Sequence, residues 1–279
     1  DDLFRDNGEG FSFAGGLGND RFFLDDGDGG VPIAGNFDGG TGVDTIEDQR
    51  DGGNGLRVNL SGSTEILNLT GTVETLGAGT FKDGDGIIHT VANIENVNGT
   101  NAVDVLIGGD EDNVLSDGGG GDRIEANGGD DTVIAHVGEV VVDNYLGGLG
   151  LDKVDYSAAT NGIFINVAAG QAIDRPGFGT ASIGDDNISS FEHIVTGSGD
   201  DLVFGSNNNI DMIFELGAGN DTIFGGAGNE RIIGGLGDDD FSGGGQQPNG
   251  GFDVLDYSRI AQGITLNLNL SSDQATGAG

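Results

Sequence analysis

In two long stretches of this chain a large apolar residue returns at every ninth position, always two places after an acidic or amide residue. Between Gly99 and Ile134 the apolar column reads Leu106, Leu115, Ile124 and Val133, and the polar column Asp104, Asn113, Asp122 and Asp131. Between Leu216 and Ser242 the columns are Ile223, Ile232, Phe241 and Asp221, Glu230, Asp239. Glycine fills most of the remaining places, which gives a frame GGxGxDxUx with U a large apolar residue. Three segments match it fully: Gly15 to Phe23, Gly39 to Glu47 and Gly147 to Asp155. A nine-residue unit with one apolar position cannot bury a helix face, so the pattern predicts a six-residue turn followed by a three-residue strand. The expected class is all-β.

Sharp turns that aim backbone carbonyls at one spot favour glycine, because it takes positive φ without a steric penalty. Successive turns then fall alternately on the two sides of a flattened coil, and turns eighteen residues apart stack. Stacking sets Asp104 near Asp122, Asn113 near Asp131 and Asp2 near Asp20, with the apolar column between the layers as a thin core. Each pair brackets a hole lined by glycine carbonyls. Six or more hard oxygens with carboxylate charge suit Ca²⁺, whereas Mg²⁺ demands a smaller, stricter octahedron.

The candidate ligands follow from that frame. Side-chain oxygens come from Asp2, Asp20, Asp44, Asp104, Asn113, Asp122, Asp131, Asp152, Asp201, Asp211, Asp221, Glu230, Asp239 and Asp253. Turn carbonyls come from Gly15, Gly16, Gly18, Gly39, Gly40, Gly42, Gly108, Gly109, Gly147, Gly148, Gly150, Gly217, Gly219, Gly225, Gly226, Gly228, Gly234, Gly235 and Gly237. About eight ions would add roughly sixteen positive charges and leave the surface acidic.

A longer period lies above the short one. Asp44, Asp152 and Asp253 recur about a hundred residues apart, each followed by a β-prone segment: Leu56 to Leu60, Ile163 to Val167 and Ile264 to Leu268. Asn59, Asn166 and Asn267 hold a common column there. Ile94 to Gly99 and Phe191 to Gly197 then lead into nonapeptides. The predicted organisation is the end of a repeat block over 1–38, modules over 39–146 and 147–250, and the start of a third over 251–279. Asp2 and Phe4 fit the frame from its sixth position onward, so the chain is expected to be a segment of a longer protein.

Composition narrows the partners. Of 279 residues 58 are Gly and none is Cys or Trp; 47 acidic residues against 10 Lys and Arg give a net charge of −37. Few Lys and Arg exclude nucleic acid. High charge with abundant glycine resembles a disordered chain, yet 35% of residues are hydrophobic and evenly metered, which argues for order conditional on a cation. No apolar run is long enough to span a membrane. His89 lies in an insert, His136 beyond a repeat run and His193 in the column of Asn96, so all three are expected at surface or capping positions. No nucleophile or zinc-protease motif is present.

Together the GGxGxDxUx nonapeptides, the Gly147 to Ser157 stretch (GGLGLDKVDYS) with Gly162 to Val167, and Ile94 to Val97 (IENV) resemble the RTX family of haemolysin-type calcium-binding repeats. The resemblance implies right-handed parallel β-roll modules interrupted by short strand inserts, type I secretion from a bacterium, and folding on extracellular Ca²⁺. It implies several calcium ions and a non-catalytic segment, structural or interactive, in a surface layer, adhesin or fibre. The alternative is an accessory roll of a secreted hydrolase or polysaccharide-modifying enzyme. Neighbouring copies or an anionic cell-surface glycan are the other expected partners. Asn113, Glu230 and Phe11 depart from the ligand pattern and predict weaker or empty sites, and the ten-residue steps between Asp201, Asp211 and Asp221 predict distorted stacking.

Overall fold

Three-residue strands too short to stand alone are held by their neighbours on both sides, and that is how the nonapeptides are arranged in the computed structural model of the chain. It describes residues 1–5, 12–24, 34–48, 54–69, 72–174, 183–244, 252–260 and 274–275. The nonapeptides form parallel β-solenoids, with one 3-10 turn at Val167–Ala169 and no α-helix among the described residues. Two units are distinguished, Asp1–Ile134 with Asn144–Gly150, and Ala135–Asp143 with Leu151–Gly279. Phe11, Asp25, Asp26, Asp28 and the segment Ile264 to Leu268, with Asn267, lie outside the described residues.

In the first unit one sheet contains, in spatial order, Leu3–Arg5, Arg21–Leu24, Thr45–Asp48, Asn96–Asn98, Val114–Ser116 and Thr132–Ile134. All its pairings are parallel, and the apolar column is in register: Phe4 opposite Phe22, Phe22 opposite Ile46, Ile46 opposite Val97, Val97 opposite Leu115, Leu115 opposite Val133. The facing sheet runs Ser12–Leu17, Asn36–Thr41, Ile88–Ala92, Thr80–Lys82, Arg57–Asn59, Val105–Ile107, Arg123–Gly128 and Asn144–Leu149. Apolar side chains from both sheets close the space between them, and Ile46, Val97, Leu106, Leu115, Ile124 and Val133 are fully buried. Each such residue stabilises the fold by about 1.5–3 kcal/mol, but the nine-residue frame itself supplies only one per turn.

The second unit repeats the arrangement. Lys153–Asp155, His193–Val195, Met212–Glu215, Glu230–Ile233 and Val254–Leu255 form one parallel sheet. Asp185–Ser189, Gln171–Asp174, Ile163–Asn166, Leu202–Phe204, Thr222–Gly226 and Asp240–Gly244 form the other.

The β-prone segments after Asp44 and Asp152 become strands Arg57–Asn59 and Ile163–Asn166. Each lies parallel to the next nonapeptide strand and antiparallel to a returning one, Thr80–Lys82 or Gln171–Asp174. The inserts thus add two strands to one sheet and none to the other. Asn59, fully buried, secures the first: its Nδ2 donates to the carbonyls of Ser63, Leu76 and Gly77, and its Oδ1 accepts from Ser61. The equivalent Asn166 caps the 3-10 turn by accepting the Ala169 N–H at 3.0 Å. A further hairpin, Glu65–Leu69 with Thr72–Leu76, packs Leu67 and Leu76 on Val105 and Ile107. That cover explains why all three residues of Val105–Ile107 are buried.

Candidate metal centre

Immediately before each core strand stands the sixth residue of its nonapeptide, and parallel pairing lines these residues up into a ladder. Asp20 Oδ1 accepts the Asp2 N–H at 2.6 Å and Asp44 Oδ1 accepts the Asp20 N–H at 2.6 Å. Asp122 Oδ1 likewise accepts from Asp104 N–H at 2.6 Å and Asp131 Oδ1 from Asn113 N–H at 2.7 Å. In the second unit Ile163, Asp201 and Asp221 donate to Asp201, Asp221 and Asp239 at 2.8, 2.8 and 3.1 Å. One oxygen of each carboxylate is therefore committed to the backbone of the adjoining turn.

Where the turn opens on glycine, as at Gly15, Gly39, Gly99, Gly108 and Gly225, the other end of the ladder side chain faces that glycine. At Asp20, Asp44 and Asp221 the Oδ2 atom, and at Glu230 the Oε2 atom, is buried without a hydrogen-bond donor. A buried carboxylate oxygen left this way is costly unless a cation meets it. Beside it lies a carbonyl from the next turn: a side chain placed on Gly15 would collide with Asp20 Oδ2 and the Gly39 carbonyl. The same pairing occurs over Gly39 (Asp44 and Asn93), Gly99 (Asp104 and Asp117), Gly108 (Asn113 and Ala126) and Gly225 (Glu230 and Gly243). Carboxylate and carbonyl oxygens converging on a glycine-lined gap fit a hard divalent cation. Asp20, Asp44, Asp104 and Glu230, with those carbonyls, would hold it, and the ion would supply the charge that lets the carboxylates lie side by side.

Electrostatics points the same way. Burial, reinforced by the charges of Asp201 and Asp239, pushes Asp221 up to about 8. Burial likewise raises Asp104 to about 6, and, with Asp253 beside it, Glu230 to about 7. These carboxylates are held where their ionised form is disfavoured until a cation joins them.

Most of the candidate ligands sit on the ladder. Asp20, Asp44, Asp104, Asn113, Asp122, Asp131, Asp152, Asp201, Asp221, Glu230 and Asp239 are all buried. Asp2 is exposed, as is Asp253, although Asp253 Oδ1 accepts the Glu230 N–H at 3.1 Å. Asn113 accepts from Gly109 through Oδ1 and donates to the Glu95 carbonyl, 2.7 Å each. Glu230 turns back onto its own loop, accepting the Gly228 N–H at 3.0 Å, instead of reaching the adjoining turn. The second and fourth glycines Gly16, Gly18, Gly40, Gly42, Gly148, Gly150, Gly217, Gly219, Gly235 and Gly237 all have φ between +80° and +146°. At Gly42 a side chain would also run into the Gly18 carbonyl of the stacked turn.

Asp211 is placed off the ladder. Its strand is in register with Met212 opposite Glu230, so Met212, buried, occupies the sixth position, and Asp211 is exposed one place earlier, accepting from Asn229 at 2.9 Å. The steps around it are uneven rather than tens, the extra residues being taken up in the turn before Met212. The expected distortion does not reach the ladder, because Asp201 and Asp221 still bond at 2.8 Å.

Four ladder residues are absent from the candidate set. Glu95 Oε2 accepts the Asp44 N–H at 2.8 Å and Glu192 Oε2 the Asp152 N–H at 3.2 Å. The signal was available, since each stands nine residues before a ladder aspartate, Asp104 or Asp201. Asp143 and Asp186 pair in the second unit, the Asp143 N–H donating to Asp186 Oδ1 at 3.1 Å and the Tyr156 hydroxyl to Oδ2 at 3.0 Å. Burial and the Asp143 charge raise Asp186 to about 8. Asp143 follows Val140, Val141 and Val142 instead of glycines, which hid it.

The histidines divide. His136 is exposed and His193 half-buried, 3.2 Å from Glu215. His89 is not at the surface: it is 1% exposed, accepts the Gly35 N–H through Nδ1, meets Asp83 at 2.9 Å through Nε2 and stacks on Phe81. It closes the insert's core.

Comparison with known proteins agrees with the geometry. The RTX calcium-binding nonapeptide repeat family matches in four copies, over residues 98–133, 188–209 and 215–247. None of the curated proteins matches the chain. The matched segments coincide with ladder turns of both units, including those of Asp104, Asp122, Glu192, Asp201, Asp221 and Asp239. These segments carry RTX calcium-binding nonapeptide repeats, which bind Ca²⁺, and the parallel β-solenoid around them is consistent with the β-roll such repeats form.

Proposed function

We propose that this chain is a calcium-folded structural segment of a larger secreted or cell-surface bacterial protein, acting as a stiff spacer or building block outside the cell. The observation that carries the reading is the ladder itself: buried carboxylates whose second oxygen lacks a donor, at Asp20, Asp44 and Asp221, repeated turn after turn. A chain of net charge −37 with a thin core repels itself when metal-free. Where free calcium is scarce it stays open and exportable; where calcium is millimolar, ion binding supplies folding free energy. The acidic exterior suits contact with neighbouring copies or anionic glycan bridged by the same ion.

Far-UV circular dichroism of metal-stripped protein tests this. The expected result is a coil-like spectrum that becomes β-rich on addition of millimolar CaCl₂ and not of MgCl₂. A spectrum unchanged by calcium overturns the reading.

A further inference from the structure

The two segments that end the inserts, around Glu95 and Glu192, replace the nonapeptide turn with a shorter one. Between Ala92, opposite Asp38, and Glu95, opposite Asp44 on the ladder, only Asn93 and Ile94 intervene, where the stacked turn has Gly39 to Val43. Asn93 makes the bend with φ 51°, and Ser190 makes the same bend before Glu192 with φ 56°. Both are left-handed conformations adopted by non-glycine residues, which Asn tolerates best. In both units the ladder residue after the short turn is glutamate, one methylene longer than aspartate. The longer arm still reaches the N–H of Asp44 or Asp152.

Such a turn could serve only to keep the backbone bonded. Two observations point further. Asp44, 1% exposed, keeps Oδ2 without a donor, and that atom faces the short turn's Asn93 carbonyl over Gly39. The Glu95 carboxylate is bonded to the same Asp44 residue. A carboxylate oxygen and a carbonyl thus face one gap, and a second carboxylate is bonded to the backbone of the same residue, where the pattern of the glycine turns has been cut short.

We infer that Glu95 and Glu192 are metal ligands, Glu95 completing the Ca²⁺ site that Asp44 and the Asn93 carbonyl outline over Gly39, and Glu192 the corresponding site with Asp152. The inference rests on the calcium reading and extends it to turns that lack the glycine frame. Each roll then carries an ion at the junction where its insert ends and its nonapeptides resume.

Calorimetric calcium titration of the metal-stripped chain and of Glu95→Gln, Glu192→Gln and the double variant tests it. Glutamine keeps an oxygen to accept the backbone N–H and removes the charge. The expected result is one ion fewer for each single variant and two fewer for the double, with an unchanged circular dichroism spectrum at saturating calcium. Variants that bind as many ions as the unsubstituted chain, equally tightly, overturn the inference while leaving the calcium reading intact. No calcium uptake by the unsubstituted chain overturns both. Anomalous scattering from Tb³⁺ in crystals of the unsubstituted chain locates the ions without substitution. A peak between Asp44 and Glu95 supports the site, and its absence while nonapeptide turns show peaks sinks it.

Discussion

At Asp20, Asp44 and Asp221 the two carboxylate oxygens differ, one accepting a backbone N–H and the other buried without a donor. Asparagine at such a place preserves the first role and weakens the second. Asp221→Asn should therefore keep the bond from Asp201 N–H, reduce calcium stoichiometry by one or that site's affinity by at least about tenfold, and leave metal-stripped protein no less folded, as calorimetry and circular dichroism would show. The raised carboxylates also set a pH dependence for the metal-free roll. A folded-state value of about 8 at Asp221 and about 6 at Asp104, against an ordinary 3.8, means that the fold binds protons the open chain does not. Their contribution is fully present below about pH 4 and is lost as pH rises through 6 to 8. Metal-stripped protein should gain β signal on acidification to about pH 4 and lose it toward pH 8, and the reverse trend would contradict the assignment.

Inserts are where local pattern and final structure part company. The alternation of Leu56 to Leu60 and of Ile163 to Val167 announces strands, and strands Arg57–Asn59 and Ile163–Asn166 are present. Nothing in either segment says that its partners are one parallel nonapeptide strand and one returning antiparallel strand, because pairing is decided between segments far apart in the chain. His89 departs from its expected surface position for the same reason. Its neighbours Ile87, Ile88 and Val91 are apolar, but which face of that strand is covered is decided by Phe81, Phe37 and Asp83 arriving around it. The hairpin over Val105 and Ile107 offers a sharper measurement. Leu67→Ala should destabilise the calcium-loaded protein by about 2–5 kcal/mol in denaturant unfolding, with the number of bound ions unchanged, since Leu67 packs on Val105 and Ile107 rather than in the ladder.

Taken as a whole the chain balances a net charge of −37 against a thin core, and the two ways of relieving that charge are separable. Added salt shortens the range of repulsion to about 3 Å at 1 M but offers no ligand geometry, whereas calcium does both. Molar NaCl should therefore fail to replace millimolar CaCl₂ in restoring the β spectrum, and full recovery in salt alone would assign folding to screening instead of coordination. Period, class and ion were legible from residues alone: a nine-residue repeat admits only a turn and a short strand, and recurring Asp with glycine carbonyls selects calcium. The same counting failed at Asp211, where an uneven step moved the acid off the ladder, and overlooked Glu95, Glu192, Asp143 and Asp186, which lack the glycines that advertise a turn. Spacing along the chain determined which residue types recur and how often. Which of them share a gap was decided only by parallel pairing in three dimensions, because neighbouring turns supply the oxygens that converge there and a shift of one residue in register sends a carboxylate from the gap to the solvent.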